Sequence, residues 1–333
     1  MGRVNLENWM LLLNPHAGGG RGKKDLEQIM DLLQKAGFEF ELFISTYAQH
    51  AIQLTKNGIE KGYRRIIVAG GDGTLNEVAN GVLRQTVCDP SEILIGMIPV
   101  GTGNDWIRTF DIPNDYKKAI KRIRKGRVFW QDVGQIRARQ NGHQELRFFT
   151  NMAGFGFDAL VAEKANRLKE RGRADWFVYL QSLVSSYLSY KTRQVSVVVD
   201  GKELRDLIFS VSVGIGKYNG GGLLQAPNAV PDNGLFQVTI IHKIGLVGIL
   251  KNLPGLFNGR FIKDRRVSVL QGKEVLVESA FELAGEADGE NLGNHRFELT
   301  VLPKKLQVIV GKKAFPKSQE QAKSEELEGV LLD

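Results

Sequence analysis

Cysteine is almost absent from this 333-residue chain, and the lone Cys88 excludes a disulfide framework. A reducing, cytoplasmic setting is therefore expected. Any apolar run long enough to cross a bilayer as a helix is also missing. The stretch Trp9-Met10-Leu11-Leu12-Leu13 is too short for the core of a signal peptide, and no cleavage pattern follows it. After Met1-Gly2, Leu6 stands where a myristoylation signal wants Ser or Thr, so no lipid anchor is expected there. Histidine is sparse: His16, His50, His143, His242 and His295 are scattered without metal-ligand spacing. Nothing resembles a nucleophile elbow, which removes a Ser-His-Asp reading. Acidic residues are in the minority, 37 against 45 basic, and the net charge of +8 favours an anionic partner. Since no recognised nucleic-acid-binding module accompanies that charge, nucleic acid is not an expected partner.

What the chain does have is glycine, 38 residues bunched at a few loops. The first third alternates strand and helix patterns. Apolar Trp9–Leu13 closes at Asn14-Pro15, and Leu26, Ile29, Met30 and Leu33 mark a helix over 25–36 that stops at Gly37. Phe38, Phe40, Leu42 and Ile44 alternate as a strand. A helix over 48–61, a strand over 65–69, a helix over 75–83 and a strand over 93–98 follow. Such alternation predicts an α/β N-terminal domain with a parallel, Rossmann-like sheet over residues 1–132. Beyond it, short strands over 131–139, 147–152, 194–199, 208–214, 234–241, 266–270, 274–277 and 297–302 predict a mainly antiparallel β-sandwich C-terminal domain, 133–302. A helical segment over 175–190 interrupts the sandwich. The apolar segment 306–310 is expected to return to the first domain, placing 303–315 with it, and 316–333 reads as a flexible polar tail.

In open α/β sheets ligands bind beyond the carboxyl ends of the strands, where three glycine loops fall: 14–22, 70–74 and 99–105. Gly70-Gly71-Asp72-Gly73-Thr74 joins a strand directly to a helix, so backbone N–H groups and the positive end of the helix dipole meet in one place suited to phosphate. There Asp72 offers a carboxylate for a metal or a ribose hydroxyl, and Thr74 a hydroxyl. Asn14-Pro15-His16-Ala17-Gly18-Gly19-Gly20-Arg21-Gly22 repeats the strand–glycine–helix logic without the Gly-Lys-Ser/Thr ending of a P-loop. Pro99-Val100-Gly101-Thr102-Gly103-Asn104-Asp105 brings a second carboxylate. One Gly-x-Gly loop is weak; two on neighbouring strands, each with a polar hook, favour a nucleotide phosphate over mere tight turns.

With those loops, the chain resembles the diacylglycerol kinase-like lipid kinases, a group that includes sphingosine and ceramide kinases. The resemblance rests on Asn14-Pro15…Gly18, Thr46 with His50-Ala51, Gly70 to Val78, Pro99 to Asp105, Asn151 to Asp158, Asn219-Gly220-Gly221-Gly222 with Ala226-Pro227, and Asp288-Gly289-Glu290. Gly-Gly-Asp-Gly-Thr alone is shared with NAD kinases and phosphofructokinases; its combination with Gly-Thr-Gly-Asn-Asp and Asp-Gly-Glu is specific to the lipid kinases. The resemblance implies a two-domain lipid kinase/NAD kinase-like architecture. It implies ATP against Asn14, Pro15, His16, Ala17, Gly18, Thr46, Gly71, Asp72, Gly73, Thr74, Leu75, Asn76, Glu77 and Thr102, with Mg²⁺. It also implies that the Asp-Gly-Glu turn supplies the general base, Glu290 or its close partner Asp288. On the residues alone, an acidic hairpin turn is the simpler reading of that segment. Chemically, a lipid hydroxyl attacking the γ-phosphorus needs a carboxylate to take its proton. Family members often carry Asp just before the glycine in a structural Mg²⁺ site, and here Asn233 stands there. That site would use Val230, Asn233 and Leu235, would turn to Asp232 instead, or is lost.

The implied function is transfer of the γ-phosphoryl group of ATP to diacylglycerol or a related lipid alcohol, giving a phosphatidic acid-type product. An NAD kinase and a catalytically silent nucleotide-binding regulator are the alternatives. Three segments offer peripheral contact with an anionic membrane surface: the cationic helix over 115–127, the apolar stripe over 175–190, and 244–261 followed by Arg265 and Arg266. At least one is expected to line the lipid entrance. The acceptor lipid and the oligomeric state are not legible, and a homodimer is left open.

Overall fold

The computed structural model describes residues 8–140, 143–161, 185–187, 190–294, 296–311 and 314. Strand β1 (Trp9–Leu13) is apolar at every position and fully buried. Its alternate side chains feed two different cores, as expected for an inner strand of a parallel sheet covered on both faces. Met10 and Leu12 pack with Ile66, Val68 and Leu75 on one face. Trp9, Leu11 and Leu13 pack with Ile29, Leu33, Ile120 and Ile123 on the other. Strands β2 (Phe40–Ile44), β3 (Arg65–Gly70) and β4 (Leu94–Pro99) pair in parallel in the order β2-β1-β3-β4.

The helices cover this sheet: α1 (Ala17–Lys24), α2 (Leu26–Lys35), α3 (His50–Glu60), α4 (Asp72–Arg84), α5 (Asp105–Thr109) and α6 (Tyr116–Lys125). Two starts differ from expectation. The first glycine loop is itself helical from Ala17, with Gly18, Gly19 and Gly20 left-handed inside it. Helix α4 begins at Asp72, not Leu75, because extended Gly71 caps it and its carbonyl accepts the Leu75 N–H at 3.1 Å.

The second half is antiparallel: β5 (Arg127–Gln140), β6 (His143–Phe149), β7 (Met152–Gly156), β8 (Arg193–Val199), β9 (Lys202–Gly214), β10 (Phe236–His242), β11 (Val267–Gly272), β12 (Glu274–Glu278), β13 (Ala284–Ala287), β14 (Glu290–Asn294) and β15 (Arg296–Val310). Helix α7 (Leu246–Asn258) lies between β10 and β11. Strands β13 and β14 flank the Asp-Gly-Glu turn as the hairpin reading implied, although their bounds were not legible, since Ala-Gly-Glu-Ala and Glu-Asn-Leu-Gly-Asn carry no apolar alternation. The expected helix over 175–190 falls mostly outside the described residues; 185–187 are helical. No helix among the described residues is long and apolar enough to cross a membrane.

The segments 297–302 and 306–310 form one strand. β15 pairs antiparallel with β12 and β5, then Gln307 and Val308 pair in parallel with Leu94 and Ile95 of β4. Its register with β5 shifts between Leu302 and Leu306, where Lys304 is left-handed (φ 53°). Asp132, 1% exposed, holds this irregularity: its two oxygens accept the Lys304 N–H at 2.8 Å and the Gly234 N–H at 2.7 Å. Asp132→Ala leaves both amides without their acceptor and is expected to cost about 2–4 kcal/mol. Asp132→Asn, which keeps one acceptor oxygen, is expected to cost less. Urea titration of the two variants checks the order.

Candidate active site

The three glycine loops converge beyond the carboxyl ends of β1, β3 and β4. Asn14 Nδ2 donates to Thr74 Oγ1 at 3.0 Å, while Asn14 Oδ1 accepts the His16 N–H at 2.9 Å. Gly18 is left-handed (φ +63°), and a Cβ there would lie 2.2 Å from the Val100 carbonyl. Arg21 donates to the carbonyls of Val100 and Gly101 at 2.8 and 2.9 Å, tying the first loop to the third. Gly71 and Gly101 touch backbone to backbone: a Cβ on Gly101 would sit 2.6 Å from the Gly71 Cα. The first turn of α4 has no intrahelical acceptor for its leading N–H groups, and a Cβ on Gly73 would meet open space. Leu75 and Ala17 are buried in the cores, so they offer a ligand backbone only. Thr102 and His16 are exposed.

Thr46 and His50 stand beside the first loop, because Leu13 pairs with Ile44 and the Ser45 N–H reaches Leu13 O. His50 Nδ1 lies 3.1 Å from both the Thr46 N–H and its hydroxyl, and the His50 ring stacks on Tyr47 at 4.3 Å. Glu77 accepts the Gln49 and Ala51 N–H groups, each at 3.0 Å, fixing the start of α3. Burial pushes the Glu77 carboxyl up, and the charge of Glu290 adds to that push.

Asp72 is occupied. Its oxygens accept the N–H groups of Asp105 and Trp106, each at 3.0 Å, so it caps α5. Asp105 in turn accepts the Gly221 N–H at 2.7 Å, reaching the 219–223 loop of the antiparallel half. Burial, with Asp72 alongside, raises the Asp105 carboxyl to about 6.

The Asp288-Gly289-Glu290 turn joins β13 to β14 and docks on α4. Asp288 Oδ2 accepts from Asn76 Nδ2 (2.8 Å), the Thr150 N–H (2.7 Å) and the Thr150 hydroxyl (3.0 Å). Its Oδ1 accepts the Asn151 and Met152 N–H groups at 3.0 and 2.9 Å. Burial pushes this carboxyl up against the pull of those donors. Glu290 is exposed, at the start of the edge strand β14. Two residues before Asp288 lies Glu286, 2% exposed.

The turn at 230–235 is held by its own hydrogen bonds. Asn233 Oδ1 accepts the Leu235 N–H at 3.0 Å, and the Gly234 N–H goes to Asp132. Asp232 is pushed up by burial, with Lys304 and Arg127 as its cationic neighbours. Among the described residues no group of three or more His, Cys, Asp or Glu could hold a metal. One side-chain row escaped the sequence altogether: His242 Nδ1 lies 2.7 Å from Asp206, and its Nε2 lies 2.8 Å from Ser268 Oγ. Ser268 stands near the start of β11 opposite Ile240, so the row ties β9, β10 and β11 together.

The two carboxylates of the Asp-Gly-Glu turn should separate on stability. Asp288→Ala strands donors from both halves and is expected to cost about 3 kcal/mol or more, whereas exposed Glu290→Gln is expected within about 0.5 kcal/mol of the parent. Thermal unfolding followed by circular dichroism checks this.

Comparison with known proteins agrees with this geometry. A family model described as the diacylglycerol kinase catalytic domain matches residues 8–136. A second, the YegS C-terminal NAD kinase beta sandwich-like domain, matches residues 151–310. A diacylglycerol kinase of Mycobacterium tuberculosis (strain CDC 1551 / Oshkosh) is 30% identical over 302 residues, covering 90% of this chain and 93% of that one. The diacylglycerol kinase of Staphylococcus carnosus (strain TM300) is 28% identical over 303 residues, 91% and 94% of the two chains. Among solved structures, a diacylglycerol kinase from Bacillus anthracis str. Sterne superposes with a TM-score of 0.68 at 22% identity, covering 93% of this chain and 98% of that one. Yeast NADH kinase superposes at 0.50 and 13% identity, over 98% and 89%, a likeness of fold. Identity, coverage and the shared two-part fold together place this chain in the diacylglycerol kinase family of lipid kinases.

Proposed function

We propose that the protein transfers the γ-phosphoryl group of ATP to the hydroxyl of diacylglycerol or a closely related lipid alcohol. The observation that carries this reading is the 2.8 Å bond from Asn76 to Asp288, 212 residues apart in the chain. It sets the turn bearing an exposed carboxylate, Glu290, beside the helix that opens the Gly-Gly-Asp-Gly loop. In this reading residues 1–132 with 303–315 form the nucleotide half, and 133–302 the acceptor half. The nucleotide phosphates, as their Mg²⁺ complex, lie on Asn14–Gly18, Gly71–Asn76 and Thr102, with the base toward Thr46. The lipid oxygen attacks the γ-phosphorus, the bond from that phosphorus to the β,γ-bridging oxygen breaks, and ADP leaves. Glu290 accepts the hydroxyl proton. Asp72 and Asp288 serve as framework, because their oxygens are already bound to backbone and side-chain donors.

The lipid would be drawn from an anionic membrane by helix α7. This helix exposes Val247 (80%) and Phe257 (45%), and Lys251, Arg260, Lys263 and Arg265 are exposed around it. Helix α6 supplies charge without apolar contact, since its Ala119, Ile120 and Ile123 are buried. Exposed cations near such a surface are worth about 1 kcal/mol each.

Transfer of labelled phosphate from ATP to diacylglycerol in mixed micelles tests the reaction, with NAD as the competing acceptor. Glu290→Gln is expected to lower kcat by about 10²–10⁴-fold with little change in KM for ATP. Full activity of that variant, or preference for NAD, would overturn the reading. In flotation assays with anionic vesicles, the Val247→Glu, Phe257→Glu double variant is expected to lose most of the membrane-bound fraction. Unchanged retention would remove α7 from the contact.

A further inference from the structure

Glu286 is buried within the antiparallel half, on β13, where it pairs with Gly154 of β7 and Asn291 of β14. Its side chain fills the space over Gly154: a Cβ there would lie 2.7 Å from Glu286 Oε1 and 3.1 Å from the Cβ of Asp158. Glu286 Oε2 accepts the Gly289 N–H at 2.8 Å, from the middle residue of the turn that presents Glu290. Its Oε1 faces Asn219 Nδ2 at 3.5 Å, and two residues further along that loop Gly221 donates to Asp105. One buried carboxyl group thus touches the turn carrying the proposed base and the loop that grips the third glycine loop.

The charged groups that face Glu286 are both acidic, Asp288 on the turn and Asp158 after β7. Asp158 is itself bonded by Ser212 at 2.7 Å and has Tyr190 beside it. Burial first, then these two acids, raises the Glu286 carboxyl to about 8, so it is uncharged near neutral pH.

We propose that Glu286 is a positioning residue for phosphoryl transfer: it holds the Gly289 amide and so fixes the turn that aims Glu290 at the acceptor hydroxyl. The role rests on the reading of Glu290 as the base. Ionising Glu286 sets its charge against the neighbouring acids, and repulsion from Asp288 in the same turn works against the hold on the Gly289 amide. Glutamine keeps an acceptor for the Gly289 amide and cannot ionise. Alanine removes the acceptor.

The test compares the full chain with Glu286→Gln, Glu286→Ala and Glu290→Gln in phosphate transfer from ATP to diacylglycerol micelles between pH 6 and 9.5. The wild type is expected to lose kcat as the pH rises through about 8. Glu286→Gln should push that alkaline limb upward by at least about one pH unit. At pH 7, Glu286→Ala should lower kcat about tenfold or more, with KM for ATP within about twofold, and Glu286→Gln should recover most of the loss. Thermal unfolding supplies a readout apart from activity. The folded chain keeps the Glu286 proton up to about 8, whereas the unfolded chain releases it near 4.5. Stability should therefore fall as pH climbs through that window, and Glu286→Gln should flatten the fall. If Glu290→Gln is inactive but Glu286→Gln keeps the wild-type alkaline limb, or Glu286→Ala keeps wild-type kcat, the Glu286 role is wrong and the function stands. If the wild type phosphorylates no lipid, or Glu290→Gln remains fully active, the function fails and the role of Glu286 falls with it.

Discussion

The carboxylate of Asp288 is the contact on which the remaining arrangement depends. It lies in a left-handed turn (φ 48°) and accepts hydrogen bonds from α4 through Asn76 and from the strand junction through Thr150, Asn151 and Met152. A charged acceptor with several donors is strong, and it tolerates little displacement because each lost donor is left unsatisfied. Both halves of the chain meet at this one group. The position of Glu290 follows from it, since only Gly289 separates the two acids.

The same device recurs elsewhere in the fold. Glu77 binds the amides that start α3, Asp72 those that start α5, Asp105 the Gly221 amide, and Asp132 the amides of Gly234 and Lys304. Each carboxylate reaches from its own helix or strand to another segment and satisfies amides that an irregular backbone would otherwise leave to water. This is why acids named by the motifs are so largely framework. A motif fixes which residue type must stand at a position without saying whether its oxygens are free.

How much could be read in advance follows from the kind of signal. The parallel sheet was legible because β1, β3 and β4 carry almost unbroken apolar runs and the glycine loops punctuate them. The strands β13 and β14 were not, because their glycines and polar residues face close neighbours: a Cβ on Gly285 would meet the Phe297 ring at 2.4 Å. The glycine loops and the Asp-Gly-Glu turn announced themselves in sequence; the bond from Asn76 to Asp288 did not, since no local pattern reports a contact across 212 residues. The row of Asp206, His242 and Ser268 was hidden for the same reason. At 230–235 the residue types suggested a cation site, but no local pattern reported that Asp132, about a hundred residues upstream, binds the Gly234 amide there.

The distribution of charge bears on how such a site could meet a nucleotide. Among the described residues, basic side chains cluster outward on α6 and around the end of α7. Within the first glycine loop the cation is Arg21, and its guanidinium is committed to the carbonyls of Val100 and Gly101. The third loop contributes the acid Asp105, whose carboxyl burial raises to about 6 and which is held by the Gly221 amide. Phosphate oxygens entering there would therefore find backbone N–H groups and the open end of α4 before any free side-chain cation of these loops. Recognition built on amides depends on backbone shape more than on side-chain charge. The close approach of Gly71 to Gly101, where a Cβ on Gly101 would lie 2.6 Å from the Gly71 Cα, sets that shape. A side chain at either position would widen the gap between the second and third loops, and it would do so without changing a single charge.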